Sequence, residues 1–271
     1  MSACPDGRCD GSGFVFDEEA RKAYACSCRP QRLARKRAAA VAGRIPKRYR
    51  EVSFDREPLP SIERSNPEVV REVRAYVRNI DENLAAGRGI WFTGDVGTGK
   101  TTLAMLISKA AMEANHTVAI YSLPRLLSIL RETYDDDAQF SLTQFIDMLC
   151  SVELLHIDDV GAEQTSDWVL EQLYTIFNTR YEDGKAVLLT TNLVGPDGAD
   201  GTHPAPELKR QIGERTVSRI WEMCGDPQFL FGSDRRLEQQ FELPATAART
   251  PTPDPFPDDF ATGYGRPRNA P

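Results

Sequence analysis

Eight residues, Gly94-Asp95-Val96-Gly97-Thr98-Gly99-Lys100-Thr101, follow the spacing G-x-x-x-x-G-K-[ST] without a mismatch. Glycines so placed let backbone N–H groups turn inward around phosphate oxygens, and a helix opening at the end of the run adds a positive dipole end. Lys100 would reach the β- and γ-phosphates, Thr101 would hold Mg²⁺, and Thr102 follows in the helix. The apolar stretch Gly89-Ile90-Trp91-Phe92-Thr93 before the run, and the helical pattern Thr102-Leu103-Ala104-Met105-Leu106-Ile107 after it, supply the strand–loop–helix setting this chemistry needs.

A second signal is Leu154-Leu155-His156-Ile157-Asp158-Asp159, an apolar strand ending in acids. Asp158 suits the Mg²⁺ shell as a Walker-B aspartate, and Asp159 would orient or deprotonate an attacking water. Asn192 ends another apolar run and could reach the γ-phosphate or that water; alone it reads as a turn former. Arg215 and Arg219 lie four apart on one helix face, where they could complete a neighbouring subunit's ATP site or simply form surface salt bridges.

Cys4-x4-Cys9 and Cys26-x-Cys28 offer four thiolates for a tetrahedral structural Zn²⁺, with free thiols as the alternative. Cys150 and Cys224 fall in helical stretches and read as buried apolar residues. His116 and His203 have no partner pattern, and His156 reads as an interior histidine.

These residues need a scaffold, and the chain's patterning supplies one. Apolar residues step by three and four from Val69 to Leu84 (helix), with further helices near 124–134, 141–150, 168–181 and 214–224. Strands are expected at 117–121, 153–158, 186–192 and 229–231, with the loop 195–206 carrying no element. Strands alternating with helices mean an α/β protein with a mostly parallel sheet covered on both faces, its ligand at the carboxyl ends of the strands. The segments divide as a cysteine-rich module (1–30), a basic linker (31–65), the nucleotide domain (66–241) and a Pro/Asp/Thr-rich disordered tail (242–271).

The 271 residues carry a formal net charge of -7, unevenly spread. Of 33 Lys/Arg, eleven fall between Arg21 and Arg50, a stretch without Asp or Glu. Such a stretch suits nucleic acid or an acidic protein face, or is merely a solvated helix and linker. No apolar run reaches membrane-spanning length and the N-terminus has no signal-peptide core, so a cytoplasmic protein with no membrane partner is expected.

The chain resembles the AAA+ ATPases of the DnaC/DnaI helicase-loader type, with the IstB transposition ATPases as close relatives. The segments that carry the resemblance span roughly 44–240. They are Ile45-Pro46-Lys47-Arg48-Tyr49-Arg50 with Ser53-Phe54-Asp55, the phosphate loop, Leu154 through Gln164, Thr190-Thr191-Asn192, Glu214 through Arg219, and Gly232-Ser233-Asp234-Arg235-Arg236. The resemblance implies a P-loop AAA+ three-layer sandwich binding ATP and Mg²⁺ between subunits of a homo-oligomer. It implies a first-sensor role for Asn192, an arginine finger at Arg219 with Arg215 as second candidate, and a terminal sensing arginine at Arg236 or, failing that, Arg235. It further implies single-stranded DNA contacts at Arg131, Tyr134, Ser166 and Trp168; for Tyr134 and Trp168 core packing is the alternative. Its cysteine module is similar to the zinc-binding, helicase-contacting module of some loaders. The implied function is ATP-dependent loading of a replicative DnaB-type helicase. The alternatives are an IstB-like transposition helper and a nucleotide-gated adaptor that hydrolyses little. Many AAA+ proteins place Glu where Asp159 stands, and a shorter carboxylate implies slow hydrolysis.

Overall fold

The computed structural model describes residues 4, 7–18, 21–30, 33, 45–133, 140–161, 166–193 and 206–235. Five strands form one parallel sheet: β3 (Ile90–Gly94), β4 (Val118–Ser122), β5 (Leu154–Val160), β6 (Ala186–Thr191) and β7 (Gln228–Leu230). Their order across the sheet is β4-β5-β6-β3-β7. Successive side chains of a strand point to opposite faces, and here both faces are dry. Ile90, Phe92, Leu154, Ala186 and Leu188 pack on one side against α1 (Leu59–Ser65), α2 (Pro67–Arg78), α3 (Ile80–Ala85) and α4 (Lys100–Glu113). Trp91, Leu155, Ile157, Val187 and Leu189 pack on the other. That second layer comprises α5 (Leu123–Glu132), α6 (Leu142–Ser151), α7 (Asp167–Glu182), α8 (Pro206–Ile212) and α9 (Glu214–Cys224). The result is the expected α/β sandwich.

Three local expectations need correction. The apolar pattern from Val69 to Leu84 is not one helix: it breaks at Asn79, whose side chain donates to Ala75 O at 3.2 Å, while Asn83 donates to Tyr76 O at 3.1 Å. Within the stretch 31–65 that reads as linker, α1 follows Pro58 and buries Leu59 and Ile62, and Val52 is buried in the same cluster. A helix, α8, occupies Pro206–Ile212, between the expected loop 195–206 and the expected helix 214–224, where the sequence pattern assigns no element; residues 194–205 lie outside the described residues. Near the N-terminus, β1 (Phe14–Asp17) and β2 (Lys22–Ala25) form an antiparallel hairpin that no sequence signal announced. The tail 242–271 lies outside the described residues. Among those described, no helix is long and apolar enough to cross a membrane.

Two polar clusters pin the sheet at the end opposite the phosphate loop. Arg180 of α7 is fully buried and donates to five carbonyls: Leu149, Cys150 and Val152 at the end of α6, Glu153 before β5, and Ala186 opening β6. Burial lowers its pKa to about 10, which leaves it charged at neutral pH. The carbonyls at the end of α6 are the negative end of that helix, so they suit a cation. His116 bridges Glu153 (2.9 Å) and Asp81 of α3 (2.7 Å). Burial works against its charged form, but hydrogen bonds to Glu153 and Asp81 and their charges outweigh it and raise its pKa.

Arg180→Lys keeps the charge but not the planar fork, so several buried carbonyls lose their donor, at a cost of about 2–4 kcal/mol. The urea midpoint should fall with the slope unchanged. For His116, a raised folded pKa gives stability that is full below about pH 6.5 and lost as pH rises through the folded value. Wild-type stability measured by urea unfolding should therefore decline above that pH, and His116→Gln should flatten that limb.

Candidate nucleotide site and cysteine cluster

The carboxyl ends of β3, β5 and β6 bring most of the expected site residues together. After β3 the backbone turns at Gly97 (φ 78°) and Gly99 (φ 109°), the latter capping α4 in the left-handed region that glycine tolerates. A Cβ at Gly97 would run into the Asp234 carboxylate, and one at Gly99 into the Ile62 side chain. The buried Lys100 ammonium donates to Gly94 O at 2.8 Å and Asp95 O at 2.6 Å, and Thr98 Oγ1 donates to Asp95 O at 2.9 Å. Val96 is exposed on the loop.

Thr101, in the first turn of α4, donates to both Asp158 oxygens, at 3.0 and 3.3 Å. The next two β5 residues behave unusually. Ile157 pairs with Leu189 and Val160 with Thr191, so Asp158 and Asp159 together oppose the single residue Thr190. This is a β-bulge, and Asp159 sits in it at φ 61°. In a regular strand adjacent acids would point to opposite faces of the sheet. The bulge instead leaves Asp158 bonded to Thr101, and Asp159 Oδ1 accepting from Asn192 Nδ2 at 2.7 Å. The second acid and the candidate first sensor are thus in direct contact.

One carboxylate and one hydroxyl on adjoining elements fit Mg²⁺. That ion takes hard oxygen ligands and is commonly bound by one or two carboxylates, waters and substrate phosphates. His156, two residues before Asp158, is buried, its Nδ1 2.9 Å from Ser108 Oγ. Burial, opposed by the nearby Asp158 charge, lowers its pKa to about 4, so it is neutral at pH 7 and faces the helix layer as an interior residue.

The arginines separate. Arg219 is held within its own subunit: Nε donates to Asn178 Oδ1 at 3.0 Å, Nη1 to Glu222 at 3.1 Å, and its guanidinium lies 4.4 Å over the Tyr181 ring. None of these partners belongs to the phosphate loop. Arg215, one turn earlier on α9, is exposed and has no ion pair among the described residues. Arg235 spends its guanidinium on α1, donating to Ser61 O and Ser65 Oγ, while its backbone N–H donates to Gly97 O at 3.3 Å. Arg236 lies outside the described residues.

Of the expected DNA-facing residues, Arg131 is exposed near the end of α5 and Tyr134 lies outside the described residues. Ser166 caps α7, its Oγ accepting from Val169 N at 3.4 Å, and Trp168 is half-buried against the core. Sequence reading gave no role to Thr190, which bonds to both acids, or to Asp234 beside Gly97. The paired threonines before Asn192 were the available signal.

The four N-terminal cysteines converge. All their sulfurs lie within 4.8 Å of one another, with Cys4···Cys26 at 3.8 Å and Cys9···Cys28 at 3.7 Å, and none forms a disulfide. A tetrahedral Zn²⁺ with bonds of about 2.3 Å requires sulfur–sulfur edges of ~3.8 Å. The cluster is therefore compatible with zinc despite its long first spacing. Burial first, then the sulfurs of Cys26, Cys9 and Cys4, push the Cys28 thiol up to about 12.

Parts of the chain are similar to known proteins. The family model described as IstB-like ATP binding protein matches residues 75–198. The uncharacterized protein YdaV of Escherichia coli (strain K12) is 29% identical over 161 residues, covering 58% of this chain and 60% of YdaV. The replicative helicase loader DnaC of the same strain is 26% identical over 149 residues, 55% of each chain. A crystal structure of the DnaC helicase loader matches at 27% identity with a TM-score of 0.56, over 69% of this chain and all (100%) of that one. The chain thus spans less than two thirds of the length of these two curated relatives. With its five-stranded parallel sheet and phosphate loop, the chain is similar over residues 75–198 to IstB-like ATP binding proteins and, at 26–27% identity, to the DnaC helicase loader.

Proposed function

We propose that this protein is an ATP-dependent loader of a replicative DNA helicase. It would bind ATP between subunits of a homo-oligomer and hold single-stranded DNA during cytoplasmic DNA replication. The observation that carries the ATPase part is the Asp158 carboxylate resting on the Thr101 hydroxyl, 3.0 Å apart, beside the phosphate loop. The loader part draws on the likeness to DnaC.

Each residue then has a task. Lys100 leaves the carbonyls of Gly94 and Asp95 for the β- and γ-phosphates, and Gly94 to Thr102 cradle the rest. When bound, Mg²⁺ would supply positive charge to offset that of the phosphate oxygens. Thr101 and Asp158 hold it. Asp159, steadied by Asn192, orients the attacking water. Arg219, or Arg215, meets the γ-phosphate of the neighbouring subunit, and Arg236 senses the nucleotide from the C-terminal side. Arg131, Tyr134, Ser166 and Trp168 face DNA. The cysteine module (1–30) binds Zn²⁺ and grips the helicase, joined by a basic segment to the ATPase domain, whose packed core begins at Val52 and which runs to 241.

The family-model match favours a second reading, an IstB-like transposition helper. The four-cysteine module weighs against it. Pull-down with a DnaB-type helicase and with a transposase, with and without ATP, separates the two: ATP-dependent capture of the transposase alone would overturn the loader reading.

Two outcomes are expected. Lys100→Ala and Arg219→Ala should each be inactive in DNA-stimulated ATP turnover, since an arginine finger is worth roughly 10³–10⁵ in rate. A mixture of the two should regain part of it, because one variant keeps the loop and the other the finger. Absence of recovery would refute a shared site with that finger. Elemental analysis should find one zinc per chain, and Cys28→Ser should lose both the zinc and helicase capture while keeping ATP binding.

A further inference from the structure

Both acids at the end of β5 share one neighbour whose role the ATP reading leaves open. Thr190 is buried on β6 opposite the bulge. Its hydroxyl donates to Asp158 Oδ1 at 2.6 Å and accepts the Asp159 N–H at 2.9 Å. A hydroxyl has a single proton, and here it is committed to Asp158 while a lone pair takes the amide. The bonds act at two levels. Asp158 Oδ1 is the oxygen nearer Thr101 Oγ1, so the bond from Thr190 fixes the rotation of the carboxylate that faces the metal position. The bulge takes the Asp159 amide out of the regular ladder, and Thr190 replaces the lost partner. The Asp159 backbone, at φ 61°, is thereby held in the conformation from which its carboxylate meets Asn192.

We infer that Thr190 is a positioning residue for the ATPase reaction: one hydroxyl aims Asp158 at Mg²⁺ and pins Asp159 beside Asn192. The inference rests on the ATP reading of this site. It goes beyond packing, because a hydroxyl that only filled space or satisfied one amide would leave the metal dependence of ATP binding unchanged.

The test is the Mg²⁺ concentration that half-saturates binding of a fluorescent ATP analogue. Thr190→Val removes the hydroxyl at nearly constant volume. It should raise that concentration by roughly 10–100-fold, the usual loss when an outer partner of a metal ligand is removed. Thr190→Ser should restore the wild-type value. In the metal-free protein, the Asp159 amide should exchange hydrogen faster in Thr190→Val than in wild type. A folded Thr190→Val with an unchanged Mg²⁺ midpoint overturns the inference, as does a Thr190→Ser no better than Val. If Thr190→Val does not fold, Thr190→Cys decides, since it keeps the volume with a weak donor; a wild-type midpoint there overturns the inference. A wild-type protein that binds no ATP would defeat the ATP reading instead, and this inference with it.

Discussion

The site hangs on a mismatch of one residue between two strands. Asp158 and Asp159 of β5 stand opposite the single Thr190 of β6. Strand geometry would otherwise send the two acids to opposite faces of the sheet, one into a helix layer where a carboxylate is costly to bury. In this bulge Asp159 takes the left-handed conformation, and aspartate is among the few side chains that accept it. Thr101, Thr190 and Asn192 then become neighbours of the acids because β5 and β6 are adjacent and β3 lies on the other side of β6. The phosphate loop, the two acids and the amide converge through strand order alone, with no element beyond the sheet and α4.

A distorted strand pair needs a firm anchor elsewhere. Arg180 supplies it at the opposite ends of β5 and β6, holding carbonyls of α6 and of both strand entrances. Among the described residues it meets five carbonyl acceptors and no carboxylate, an unusual home for a buried guanidinium. It stays charged because its two terminal nitrogens meet carbonyl oxygens, several at the negative end of α6, although its Nε has no partner among the described residues. His116 adds a second tie there between α3 and the residue preceding β5. The β5–β6 pair is thus rigid at its amino ends and irregular at its carboxyl ends, which separates the groups that hold the fold from those that meet the nucleotide.

The sequence made the phosphate loop legible because its chemistry demands fixed glycines, a lysine and a threonine at fixed spacing. Asp158, Asp159 and Asn192 were legible as positions, each closing an apolar run. Their contacts were not, since a bulge is a relation between two strands and leaves no mark in either one alone. Arg180 was invisible for a related reason: arginine at a helix position reads as solvated surface, and only the folded carbonyls show otherwise. The helix α1 and the β1–β2 hairpin are short, and Pro60 in α1 with Pro58 just before it suggested a linker. The break at Asn79 escaped because apolar spacing continues through it. In the cysteine module the spacing looked wrong for a knuckle, yet the hairpin folds the chain back so that Cys26 meets Cys4 and Cys28 meets Cys9. Spacing along the chain matters less than the turn between the pairs.

The two arginines of α9 illustrate how tethering bears on action across an interface. Arg215 is exposed and has no ion pair among the described residues, so reaching a neighbour's phosphate would cost the side-chain freedom of a long residue, about 0.5–1.5 kcal/mol. Arg219 has already lost that freedom to Asn178, Glu222 and the Tyr181 ring. Its planar fork has five donors, so some remain for phosphate after those bonds are made. Glu222 also keeps the charge partly neutralised until a stronger anion arrives. Under the proposed shared site, a prepositioned guanidinium would reach another subunit's phosphate at less entropic cost than a free one, which must be ordered by the contact it makes.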